Sequence, residues 1–257
     1  MKYWEVKAKA NKTGELLLYG DIANGEMWGG EITPKTIDAE LKALGEIDTL
    51  NVYVNSGGGS VWAGQAIYNI IKRHGAKVKN AYVDGLAASV ASLIPMACDK
   101  VFMPINAMMM IHNPSGVARG FASDFRKAAD MLDKVKDVIT EVYVAKSGQE
   151  AGKLGALMDA ETWLSAKEAI ALGLADELQA EVKIAASIDG GFLMFGDVKV
   201  DTANFKNFKP ETIETYRAAV KTPEPVVILP KEEPEKPDLS AQTVEFRKLK
   251  LKLLGGQ

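Results

Sequence analysis

The chain is poor in the residues that most often announce a function. Its single cysteine, Cys98, has no partner for an internal disulfide and cannot form a CxxC zinc or redox pair, so it reads as a small core residue. Only two histidines occur, His74 and His112, which limits any imidazole chemistry to two positions. There is no excess of positive charge: 31 Lys and Arg stand against 34 Asp and Glu in 257 residues, a formal net charge of −3. No field exists to hold a polyanion, and nucleic acid is not an expected partner. No apolar run reaches the ~18 to 20 residues needed to cross a bilayer, and the first residues, Met1 to Lys7, lack a signal-peptide apolar centre. The expected setting is cytoplasmic, with no membrane contact. Neither GxxxxGK[ST] nor a complete GxGxxG is present, and no metal or cofactor is expected.

What is present divides the chain. Pro223, Pro225, Pro230, Pro234 and Pro237 crowd one charged stretch that reads as an extended, solvated linker. Upstream, strand and helix signals alternate from about Leu16 to Leu178, which predicts an α/β domain with crossover helices. Leu50, Val52 and Val54 alternate with polar residues in a strand that runs into Gly57-Gly58-Gly59. Ser60 is placed to cap a helix bearing Trp62, Ala66, Ile67, Ile70 and Ile71, which a left-handed Gly75 would stop. A second unit follows: strand Val78 to Val83, turn Asp84-Gly85-Leu86, and a short helix from about Ala88 toward Ala97. The apolar run Ala107 to Ile111 ends in His112-Asn113-Pro114. A long helix from Ser123 to Lys146 carries Phe125, Ala128, Ala129, Leu132, Val135, Ile139 and Val142 on one face. Ser147 with Glu150, and Ser165 with Glu168, have capping-box spacing, placing short helices on either side of Asp159 to Trp163.

Three features bear on chemistry. Ser89 lies among small residues in Gly85-Leu86-Ala87-Ala88-Ser89, at a predicted helix start whose free N–H groups suit an oxyanion. The glycine triplet opens the backbone to close approach. His112 ends a strand, where its side chain projects from a sheet edge as a general base would. Taken singly, a serine such as Ser89 at a helix start is more often a cap or packing residue, the glycine triplet is ambiguous between a ligand loop and a tight turn, and a lone histidine such as His112 is more often structural. His74, in the cationic last turn Lys72-Arg73-His74, reads as structural.

Together, these segments resemble the ClpP family of self-compartmentalising serine proteases. Asn55-Ser56-Gly57-Gly58-Gly59 is similar to the family's NSPGG loop, Gly85-Leu86-Ala87-Ala88-Ser89 to its GxAAS nucleophile turn, and Met110-Ile111-His112-Asn113-Pro114 to its MIHxP strand. Leu164 to Ala169 and Gly173 to Asp176 resemble the segment that follows its acid. The resemblance covers about residues 15 to 180. It implies the ClpP/crotonase-like superfold of repeated ββα units, with the long helix as handle. It implies Ser89 as nucleophile, His112 as base and Glu161 as acid, with Asp159 the alternative acid. The implied oxyanion donors are the N–H groups of Gly59 and Val90, and the substrate-binding candidates are Gly58, Ser60 and Ser115. Homo-oligomeric rings, heptameric or double, and polypeptide substrates are also implied.

The departures point further. Gly57 stands where the family usually has proline, the start lacks a recognisable axial-loop segment, and a tail has been added. These resemble the ClpP-like head maturation proteases of tailed phages, which act on scaffold and capsid proteins; dependence on an AAA+ unfoldase is not expected. The domain reading is a protease domain at 1–180, an extension at 181–221, and a proline-rich linker with a basic, apolar tail at 222–257, where self-trimming beyond about Val220 is expected. The alternatives are a general ATP-dependent Clp proteolytic subunit working with an AAA+ unfoldase, a crotonase-like acyl-CoA enzyme, and a non-catalytic capsid assembly protein.

Overall fold

The computed structural model describes residues 4–26, 29–180, 186–189, 192–195 and 198–208. The chain divides into two units, Met1–Thr222 and Pro223–Gln257, and all described residues lie in the first. The proline-rich linker and the tail lie outside the described residues.

Strands β1 (Trp4–Lys9) and β2 (Thr13–Tyr19) form an antiparallel hairpin, and helix α1 (Pro34–Ala43) follows under a Thr33 cap. Strand β3 (Thr49–Ser56), helix α2 (Val61–Arg73) and strand β4 (Val78–Ala88) then build the centre of the sheet. In β3, Leu50, Val52 and Val54 are fully buried while Thr49, Asn51 and Tyr53 are half-buried, so strand periodicity alone assigns its faces. Ile37 and Leu41 of α1 and Ile67 and Ile71 of α2 belong to the same apolar core. Tyr53, Tyr82 and Phe102 stack across neighbouring strands at 4.9 Å between successive rings.

Strand β5 (Lys100–Pro104) and strand β6 (Met108–Ile111) share β4 between them: β5 pairs with its first half and β6 with its last three residues. Helix α3 (Ala122–Ser147), helix α4 (Ala151–Asp159), strand β7 (Thr162–Ser165), helix α5 (Ala166–Ala171) and strand β8 (Glu177–Gln179) complete the domain. The main path of this mixed sheet runs β1-β2-β3-β4-β5-β8, with β6 beside β4 and β7 antiparallel to β6. Strands β9 (Ala186–Asp189), β10 (Phe192–Phe195) and β11 (Val198–Asp201) form a separate antiparallel sheet within the extension.

Several local expectations are corrected. β4 does not turn at Asp84-Gly85-Leu86 but continues to Ala88, with its register on β3 slipping between Val54 and Ser56. The slip is stabilised by Asn55, whose Oδ1 accepts the Leu86 N–H at 3.1 Å and so replaces a ladder bond. The expected helix from Ala88 to Ala97 is two 3-10 turns, Ser89–Leu93 and Pro95–Ala97, because Pro95 cannot donate within a continuous helix. Ser60 does cap α2, but the helix leaves through an extended His74, whose Nδ1 accepts the Ala76 N–H; Gly75 is not left-handed. Trp62 is 58% exposed and lies off the buried face of α2. Ser147 closes α3 rather than capping α4: its hydroxyl donates to the Tyr143 carbonyl and accepts the Gln149 N–H. The capping box at Ser165 and Glu168 is formed. On α3 only Val135, Ile139, Thr140 and Tyr143 are buried, while Phe125, Met131 and Val138 are exposed.

Candidate active site

Strand register brings the candidate residues together. β6 lies parallel to the end of β4, pairing Ala88 with Met110, so Ser89 and His112 both emerge just beyond the same edge. β7 runs antiparallel to β6 with Ile111 opposite Thr162, which places Glu161 beside His112. His112 Nε2 is 2.7 Å from Ser89 Oγ, and Glu161 Oε2 is 3.9 Å from His112 Nδ1. For Nε2 to accept the serine proton, the ring hydrogen must sit on Nδ1, on the side of Glu161.

The backbone is constrained at both ends of this line. Ser89 has φ of 54° and Glu161 has φ of 48°, a left-handed conformation uncommon for residues with a side chain. At Ser89 the strand turns abruptly into a 3-10 turn. There the Ser92 hydroxyl donates to the Ser89 carbonyl at 2.5 Å and lies 2.7 Å from the Tyr143 hydroxyl of α3. Because Ser92 spends its one hydrogen on Ser89, Tyr143 is the donor in the second contact. Burial pushes the Tyr143 phenol well above its usual range, so it remains a neutral donor.

The glycine loop is tied to its surroundings. The Ser56 hydroxyl donates to the Gly20 carbonyl and accepts the Gly58 N–H, while Ile22 donates to Gly58 and its own carbonyl accepts the Ser60 N–H. Gly58, at φ of 101°, passes so close to Ser89 that a Cβ there would lie 2.7 Å from the serine Cβ.

A cleft of about 660 Å³ contains Ser89, His112, Gly58, Gly59, Val90 and Ser115 in its lining. Ser60 is not part of that lining; its hydroxyl donates to Asn24 and accepts the Ala63 N–H at the start of α2. Burial pushes the His112 imidazole below its ordinary pKa, and the Lys206 ammonium acts in the same direction against the opposing Glu161 carboxylate. Asp159 is engaged by other partners: its exposed carboxylate accepts from Lys136 Nζ at 2.5 Å and Asn113 Nδ2 at 2.8 Å, and these partners, Lys136 first, hold it below the usual carboxylate range. The thiol of Cys98 is buried in the core and pushed up to about 12 by that burial. Among the described residues no group of three or more His, Cys, Asp or Glu is placed to hold a metal, and no helix is long and apolar enough to cross a membrane.

The family model described as Clp protease matches residues 26–182 of this chain, more than half its length. The chain belongs to the Clp protease family. Two proteins called ATP-dependent Clp protease proteolytic subunit, from two strains of Bacteroides fragilis, are each 34% identical to it over 154 residues. The aligned region is 58% of this chain and covers 73% and 69% of the two relatives. The Clp protease match ends at residue 182, and the extension beyond it supplies further cleft residues that the sequence reading missed: Phe192, Lys199, Val200, Asp201 and Phe205. Tyr143 was missed as well, although it stands four residues after Ile139 on the predicted buried face of α3. Ser92 was visible three residues beyond Ser89, the spacing at which a hydroxyl can reach back to a carbonyl in a 3-10 turn.

Proposed function

We propose that this chain is a serine endopeptidase in which Ser89, His112 and Glu161 act as nucleophile, base and acid. The observation that carries the reading is the 2.7 Å contact between His112 Nε2 and Ser89 Oγ inside a substrate-sized cleft. His112 takes the Ser89 hydroxyl proton as Oγ attacks the scissile carbonyl carbon, and the carbonyl electrons move onto its oxygen. The N–H groups of Gly59 and Val90 receive that oxyanion. Collapse breaks the C–N bond, the leaving amine takes the proton from His112, and an ester on Ser89 remains. Water repeats the sequence, giving its proton to His112 and releasing the acid product and free Ser89. Glu161 keeps the ring hydrogen on Nδ1 and balances the imidazolium charge. In this reading Gly58 and Ser115, both in the cleft lining, flank the substrate backbone.

The setting we propose is phage head maturation, with scaffold and capsid proteins as substrates. It is supported by an extension that follows the family region and lines the cleft. Repeated ββα units, α3 as a handle and assembly into rings belong to the same reading, supported by the exposed Phe121, Phe125 and Met131 on and beside α3. The name borne by the two Bacteroides fragilis relatives supports a second reading, a general Clp proteolytic subunit serving an AAA+ unfoldase.

The test is intact-mass analysis after exposure to a fluorophosphonate, with Ser89→Ala as control. A single adduct lost in the variant supports the nucleophile. No adduct in folded, assembled protein overturns it. Cleavage of capsid and scaffold proteins without ATP, against cleavage of unfolded proteins only with an unfoldase, separates the two settings.

A further inference from the structure

Glu161 is only 7% exposed, and both of its carboxylate oxygens are occupied by the extension. The Lys206 backbone N–H donates to Oε2 and the Asn207 backbone N–H to Oε1, each at 2.8 Å. Asn207 Nδ2 also donates to the Ala160 carbonyl at 2.7 Å, so three bonds join residues 206–207 to residues 160–161. The oxygen that faces His112 is the one held by Lys206.

This contact is anchored by packing. Phe205 is buried, its ring 5.2 Å from that of Trp163 in an edge contact and 6.3 Å from the His112 ring. The Phe208 ring also packs against Trp163, with centroids 5.2 Å apart at 63°. Val198, Val200 and Phe205 form one apolar cluster with Leu86, Ala88, Met108 and Met110, the strand ends that deliver Ser89 and His112. The segment borders the cleft without closing it, since Ser89 and His112 remain in the lining of the 660 Å³ space.

We propose that residues 205–207 are a positioning element for the acid, their two backbone N–H groups fixing the Glu161 carboxylate against His112. A glutamate side chain carries one more rotatable bond than an aspartate and, at φ of 48°, leaves an uncommon backbone conformation. The two donors compensate for that freedom by fixing both oxygens at once. The extension beyond the family region is then a working part of the site. This inference rests on the serine peptidase reading above.

The experiment measures the rate of fluorophosphonate labelling of Ser89 in the full chain, which needs no peptide substrate. Lys206→Pro removes the N–H to Oε2 and is expected to slow labelling at least about tenfold. In a Glu161→Ala background, assayed well above pH 6.5 where loss of the Lys206 ammonium no longer changes the fraction of neutral His112, the same change is expected to have no further effect, because the element acts through that carboxylate. Asn207→Ala, which removes only the bond to Ala160, serves if the proline variant does not fold, with an expected slowing of about threefold. Wild-type labelling in folded Lys206→Pro overturns the proposal, as does an equal loss with and without Glu161. Faster labelling also overturns it and makes the segment a restraint. A wild-type chain that never labels instead defeats the peptidase reading, so the two failures are distinct.

Discussion

Val200 of the extension occupies the space beside Gly57 that a side chain there would need: a Cβ on Gly57 would lie 2.7 Å from one Val200 methyl and 2.8 Å from the other. The glycine loop and β11 are therefore matched to each other. Gly57→Ala is expected to cost about 1–3 kcal/mol through overpacking. Val200→Ala introduced with it should return part of that loss. Denaturant unfolding of the two single variants and the pair checks this. Additive losses would show that the two positions do not compete for space.

The two acidic candidates separate cleanly by substitution. Asp159 is exposed and held by Lys136 and Asn113, so Asp159→Ala should leave both the labelling rate of Ser89 and the unfolding midpoint essentially unchanged. Glu161→Ala should reduce labelling by at least about a hundredfold. The opposite pattern would transfer the acid role to Asp159.

With His112 as the proposed base, its burial predicts where the acidic limb of activity falls. Because burial lowers the His112 pKa below its ordinary 6.5, the neutral base survives to lower pH than a free imidazole. Labelling should therefore rise with pH through a midpoint below 6.5. Glu161→Gln removes the one influence that raises this pKa, so its midpoint should fall lower still while the plateau rate drops. A midpoint above 6.5 in the wild type would contradict the burial argument. Stability follows the same sign: between the lowered folded value and 6.5 the unfolded chain binds more protons, so His112 makes stability rise with pH in that window.

Tyr143→Phe leaves the buried Ser92 hydroxyl without its donor. The expected cost is about 1–2 kcal/mol, together with slower labelling, because Ser92 holds the carbonyl of Ser89. Circular dichroism melts beside the labelling assay test both. Unchanged values in both assays would remove Tyr143 from the support of the nucleophile.

Much of the core domain was legible in the sequence because short-range patterns carried it. Alternation in β3, the Ser60 cap and the capping box at Ser165 are local signals, and each is realised where it was read. The continuation of β4 through Gly85 was not legible, because it depends on a side chain 31 residues away, that of Asn55, serving as a strand acceptor. Trp62 and Phe125 were misassigned for a related reason: helical spacing defines a stripe, but packing decides how far around the helix the buried face extends. Ser89 and His112 were found through ordered segments. Their proximity comes from the parallel register of β4 and β6, which no local pattern encodes. The bonds from residues 206 and 207 to Glu161 span 45 and 46 positions in an extension with no motif to mark them.

The left-handed turn at Ser89 also limits which amino acids the position can hold. Threonine offers an equivalent hydroxyl, but its branched Cβ is poorly accommodated at φ of 54°. Cysteine and alanine, unbranched there, meet no such barrier. The choice between the two alcohols at this position is thus made by the main chain before any peptide enters the cleft.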